Sequence, residues 1–223
     1  MSYEDLFTSI QQGDLVSVNQ ILLAEPSAIE ARTAEGLSPV IVAAYWGQVE
    51  VLNRLVEASG ELDFWEAATV GATGRIRELV NDDPELVAAH SRDGFTALHL
   101  AVFFGHPETA RALIDAGADV SARTKNALDN QPLHAAAASS VARNRLASVR
   151  LLLDAGAPVN ERQSGGFTPL MAAAQSADEG VLDLLLAHGA DTSIEDDEGL
   201  TAAAHATKAE HPEIAAKVQA TST

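Results

Sequence analysis

The residues of this chain that could do chemistry are its seven histidines and its runs of adjacent carboxylates. Histidine titrates near neutral pH and ligates metals, so seven of them raise both acid–base and zinc chemistry. No two stand at H-x-x-x-H spacing, and His90 and His205 have no partner at ligand spacing along the chain. Asp82-Asp83, Asp178-Glu179 and Asp196-Asp197 would serve as acid and base if buried together. Each pair falls in a predicted loop, where solvated charge is expected instead. The chain carries no G-x-x-x-x-G-K-S/T phosphate loop, no G-x-G-x-x-G after a strand and no G-x-S-x-G elbow. The expectation is therefore no catalytic residue, no metal site and no cofactor.

Charge narrows the partners. Thirty-two acidic residues against 14 basic ones give a net charge of −18, which repels phosphate backbones and disfavours nucleic acid. Such an acidic surface keeps a protein soluble and can steer a basic partner. Cysteine is absent, so neither a disulfide framework nor a thiolate metal site is available. The opening MSYEDLFTSI is acidic and lacks a long apolar run. It reads as neither a signal peptide nor a membrane span, and points to the cytoplasm with no membrane partner. Only 4% of residues are aromatic while alanine abounds, which suits helices packed tightly in layers.

Residues 92–123 show how those layers are built. Asp93-Gly94 makes a turn, Thr96 stands where a hydroxyl caps a helix, and Leu98, Ala101 and Val102 follow at helical spacing. Gly105-His106-Pro107 breaks the chain, Leu113 and Ile114 mark a second stripe, and Gly117 stops it. Neither helix is long enough to stand alone, so each needs its neighbour in the next copy. The string Thr96-Ala97-Leu98-His99-Leu100-Ala101 resembles the T-P-L-H-x-A signature of the ankyrin repeat, whose period is about 33 residues. Asp115-Ala116-Gly117-Ala118-Asp119-Val120 resembles that family's second-helix ending. The resemblance implies an all-α solenoid of about seven stacked helix-turn-helix repeats with short projecting loops. It also implies structural roles for five histidines. His99 and His134 stand where the family's ring bonds neighbouring backbone, His106 and His211 start second helices, and His188 precedes a stop glycine.

Residues 5–60 and 63–118 align without a gap at an offset of 58: Asp5 with Asp63, Gly13 with Gly71, Gly36 with Gly94, Leu55 with Leu113. A two-repeat block is thus present twice. Within each block equivalent core positions lie 34 residues apart, but Val40 to Phe64 spans only 24. The junction 59–63 is too short for a projecting hairpin, so the second and third helix pairs are expected to stack without one. Pro132 begins a fifth repeat after a slightly long loop, 124–130, and about four extra residues fall within Ala138–Ser148. Insertions of this kind are expected in loops. The whole of 1–223 reads as one array, with an N-terminal cap over about 3–35, internal repeats over about 36–195 and a C-terminal cap over about 196–220.

In ankyrin-like arrays the two residues before the tight-loop glycine line a concave groove and vary with the partner. Here they are Gln11-Gln12, Tyr45-Trp46, Thr69-Val70, Phe103-Phe104, Ala138-Ser139, Gln175-Ser176 and Lys208-Ala209. Aromatics concentrate in two of these pairs, and Phe95 and Phe167 follow turn glycines at another variable position. Two readings stay open: the rings form a binding surface, or they fill gaps between alanine-rich helices. Tyr45-Trp46 and Phe103-Phe104 are two repeats apart, an expected separation of roughly 16–20 Å. The resemblance implies a non-catalytic module that binds a partner protein, one with basic patches, through the groove and hairpin tips. The contact residues would be Tyr45, Trp46, Thr69, Val70, Phe95, Phe103, Phe104 and Phe167, with Arg143 and Arg145 of the insertion. One alternative is an unusual enzyme or small-molecule binder, its apolar pocket walled by the aromatics and its anion held by Arg143 or Arg145. Another is an acidic inhibitor that occupies a basic site.

Overall fold

The computed structural model describes residues 3–139 and 141–221. Among them are fourteen α-helices in seven pairs; the single β-bridge joins His90 to Thr96. The first helices of the pairs are α1 (Tyr3–Gln12), α3 (Pro39–Tyr45), α5 (Phe64–Val70), α7 (Ala97–Phe103), α9 (Pro132–Ala137), α11 (Pro169–Gln175) and α13 (Ala202–Lys208). Each packs on the next and together they form one row. The second row is α2 (Leu15–Ala24), α4 (Val49–Ala58), α6 (Thr73–Asp82), α8 (Pro107–Asp115), α10 (Ala142–Asp154), α12 (Glu179–Ala187) and α14 (Pro212–Ala220).

Helices this short are marginal in water, so packing must hold them. One buried side chain per repeat, at equivalent register, runs through the first row: Leu6, Val40, Phe64, Leu98, Leu133, Leu170 and Ala203. Caps fix where each helix begins. Ser38, Thr96, Thr168 and Thr201 each accept a bond from the backbone N–H three residues on. Asp63 and Glu66 form a reciprocal capping box at α5.

Side chains after the tight loops stitch neighbouring repeats. Gln48 Nε2 donates to Gln11 O at 3.0 Å, and Asn144 Nδ2 donates to Gly105 O at 2.6 Å. The His106 ring reaches Thr69 O at 2.9 Å by passing over Gly71. A Cβ on Gly71 would lie 2.4 Å from that ring, and its φ of +76° is left-handed besides. Glycine is required there on both counts.

The hairpin expected to be missing between the second and third pairs is missing. Chain leaves α4 and enters α5 within residues 59–63, with Arg75 Nε donating to Leu62 O at 3.1 Å and its guanidinium paired to Glu61 at 3.0 Å. The cost appears in the packing. Buried apolar side chains fall into two clusters, one from Leu6 to Leu55 and one from Phe64 to Val218, and α4 barely meets α6. A similar thinning between α12 and α14 is bridged by Lys217, which pairs with Asp183 at 2.7 Å and Glu179 at 3.4 Å.

The insertion within Ala138–Ser148 is not an added loop. Its residues extend α10, which runs 13 residues where α8 and α12 run nine. Helix-forming Ala142, Arg143, Arg145 and Leu146 make the extra turn cheaper than an ordered loop. Ser140 lies outside the described residues.

Candidate functional site

Six of the seven histidines bond the scaffold through their rings; His211 only approaches Glu213, at 3.8 Å. His99 places Nε2 3.2 Å from Asn130 O and Nδ1 2.8 Å from Thr96 Oγ1. A carbonyl only accepts, so Nε2 carries the proton and Nδ1 takes the threonine hydroxyl. His134 repeats the pattern, with Nε2 2.9 Å from Glu161 O and Nδ1 accepting from Gln131 N. Burial pushes both rings down to about 4, so both are neutral. His90 bonds Arg123 O and His188 bonds Leu184 O through one ring nitrogen each. Among the described residues no three His, Asp or Glu side chains gather as a metal site would require.

Asp82, Asp83, Glu179 and Asp197 are exposed, as expected of solvated charge, while Asp178 and Asp196 are less solvated. Asp196 is buried: it accepts from Glu198 N and Leu200 N, both at 2.9 Å, and from His205 Nε2 at 2.7 Å. These bonds, that from Leu200 first, hold its carboxyl below the usual range. Asp178 caps α12 and pairs with Arg145 at 2.8 Å. Both carboxylates organise hairpins and helix starts. None faces a second free carboxylate.

The aromatics do come together, more closely than repeat spacing implies. The Tyr45 ring lies 5.2 Å from that of Phe104 and 6.3 Å from that of Phe103, and the two phenylalanines are 5.1 Å apart, edge to face. The expected 16–20 Å gap is therefore wrong. Thr69 and Val70, which intervene, are short, and Tyr45 leans past them to bond Asp93 Oδ2 at 3.3 Å. Burial first, and then the charge and hydrogen bond of Asp93, raise the phenol's pKa well above its ordinary value. Trp46, beside Tyr45, is 56% exposed.

Thr69 is a correction: it is 1% exposed and its carbonyl receives His106, so it packs and cannot meet a partner. Val70 is half-buried against the N-terminal cluster. Phe95 lies half-buried edge-on to His99, and Phe167 likewise to His205. The two arginines do not join the aromatics. Arg145 is spent on Asp178 and on Ser139 O at 2.7 Å. Arg143 is exposed on the second row, in a groove with Arg111 and Arg150.

Between α7 and α9 the aromatics border a cavity of about 280 Å³. Tyr45, Phe95, Leu100, Phe103 and Leu128 supply its apolar wall; Asn130 and Gln163 border it from the hairpin side. The sequence carried a signal for it that the ring positions alone obscured. Register 35 residues on from Leu100 and Phe103 falls on Ala135 and Ala138, so α9 lacks the two side chains that would fill the space.

The family model for ankyrin repeats matches in three copies, over residues 6–124, 64–163 and 133–218. The chain belongs to the ankyrin repeat family. It is 31% identical over 187 residues to a transient receptor potential cation channel subfamily A member 1 homolog of Caenorhabditis elegans, covering 80% of this chain and 15% of that protein. It is 32% identical over 164 residues to the neurogenic locus Notch protein of Drosophila melanogaster, covering 73% of this chain and 6% of Notch. A putative E3 ubiquitin-protein ligase, XBAT31 of Arabidopsis thaliana, matches at 29% over 174 residues, covering 69% of this chain and 37% of the ligase. The chain thus spans well under half of each of these relatives. Ankyrin repeats are generally protein-interaction modules. Among the described residues no helix is long and apolar enough to cross a membrane.

Proposed function

We propose that this chain is a non-catalytic, cytoplasmic protein-binding module whose repeats act as one array between an N-terminal cap over about 3–35 and a C-terminal cap over about 196–220. One observation carries the reading: Tyr45, Phe103 and Phe104 form a contiguous aromatic surface at the ends of first-row helices, with Trp46 standing out beside it. Scaffold packing does not require aromatic rings at these ends: other repeats carry Gln11-Gln12, Thr69-Val70, Ala138-Ser139, Gln175-Ser176 and Lys208-Ala209 there. Large rings there are what an interface anchor requires. The acidic balance of the chain favours a partner with basic patches, whose association would weaken with salt.

The histidines argue against an enzyme, because the two that border the cavity beside the aromatic surface have both ring nitrogens occupied. The test is affinity capture from the native lysate with the wild-type chain, Trp46→Ala and Phe104→Ala. The captured protein is expected to fall at least about tenfold in each variant, the loss typical of an interface hot spot. Equal recovery by all three proteins would sink the reading.

A further inference from the structure

We infer that the cavity between α7 and α9 is a pocket for a tryptophan side chain of the partner, a proposal that rests on the protein-binding reading above. Four features of the site select this ligand.

The first is size. An apolar cavity of about 150 Å³ accommodates benzene, so about 280 Å³ has room for a bicyclic ring. The second is the wall, made of the rings of Tyr45, Phe95 and Phe103 with Leu100 and Leu128. Aromatic walls favour a flat aromatic guest through edge and offset contacts.

The third is charge. Among the described residues no ionised side chain borders the cavity: its histidines are His99 and His134, held neutral by burial and bonded through both nitrogens. A carboxylate or ammonium entering here would lose its water and gain no counter-ion. The fourth is a hydrogen-bond acceptor. Gln163 borders the cavity with a carboxamide, whose oxygen can accept one N–H. A neutral, flat, bicyclic group with one N–H donor is an indole.

The space exists because repeat five carries Ala135 and Ala138 where repeat four carries Leu100 and Phe103. That register also supplies the variants. Ala138→Phe restores the repeat-four residue at an exposed position and fills the mouth of the cavity; Ala135→Leu fills it from within. Gln163→Leu removes a carboxamide and keeps the bulk.

Calorimetric titration of the full chain uses N-acetyl-tryptophanamide, N-acetyl-phenylalaninamide and free indole as probes. The tryptophan amide is expected to bind saturably, about three- to tenfold tighter than the phenylalanine amide, the margin one hydrogen bond provides. Ala138→Phe or Ala135→Leu, whichever keeps the wild-type helical signal, is expected to lose binding at least about tenfold. Gln163→Leu should narrow the tryptophan preference. Absence of saturable binding, binding unchanged in a folded filled variant, or equal affinity for both amides overturns the proposal. Binding of free indole but not of the blocked amide also overturns it, and assigns the pocket to a small aromatic molecule. A captured partner lost with Trp46→Ala but retained by Ala138→Phe would leave the protein-binding reading standing while this one fails.

Discussion

At the scale of single residues, position in the repeat decides what a side chain is for. His99 and His134 look catalytic in isolation, but their nitrogens bridge a helix start to the next hairpin. That role has a pH signature. Burial lowers both rings from an ordinary value near 6.5 to about 4, so the fold holds them neutral. Above pH 6.5 both states are neutral and the two rings contribute their full stabilisation. As pH falls from 6.5 towards 4 the unfolded chain takes up protons that the folded chain refuses, and stability declines. The loss is about 2–3 kcal/mol per ring by the time pH reaches about 4, at about 1.4 kcal/mol per pKa unit. Urea denaturation between pH 7 and pH 4 should therefore show the midpoint falling, and His99→Gln should be less stable at pH 7 but flatter in its pH response. A variant as steep as the wild type would contradict this role. Asp196 shows where residue-level reading of the sequence runs out. Its loop position and its bonds to the nearby N–H groups of Glu198 and Leu200 are local, but its burial also depends on His205, nine residues on, which the last helix pair brings beside it.

At the scale of elements, spacing was informative and side-chain reach was not. The 24-residue step from Val40 to Phe64 announced a missing hairpin, because a projecting turn needs chain that is not there. The consequence for Tyr45 could not be read the same way. A ring that leans across a short-residue helix end ignores repeat spacing, so it meets Phe104 at 5.2 Å. The roughly four extra residues within Ala138–Ser148 were equally ambiguous by count, and helix propensity placed them in α10. Where the hairpin is absent, α5 relies on its own capping box, and Asp63 also pairs with Arg32 at 3.7 Å. Asp63→Ala should destabilise the chain by about 1–2 kcal/mol, the usual cost of a lost N-cap. Its urea midpoint, compared with that of the wild type, is the measurement; an unchanged midpoint would show that the box contributes nothing.

At the scale of the whole molecule, the array departs from a regular repeat at the missing hairpin 59–63, at the lengthened α10 and at the aromatic ends of α3 and α7. Tyr45 and Trp46 stand at the end of α3, in the pair that precedes the missing hairpin, and Phe103 and Phe104 stand at the end of α7, whose successor has Ala138 and Ser139 in their place. On the first row the departures are these rings. Repeat packing does not require aromatic rings at those ends, so they are the best guide to function. Hydrogen exchange on the chain bound to its captured partner tests this most directly. The account predicts slowed exchange in residues 41–46, 99–104 and 128–138, with the second-row helices unchanged. Protection confined to the second row, with those three segments exchanging as in the free chain, would contradict it.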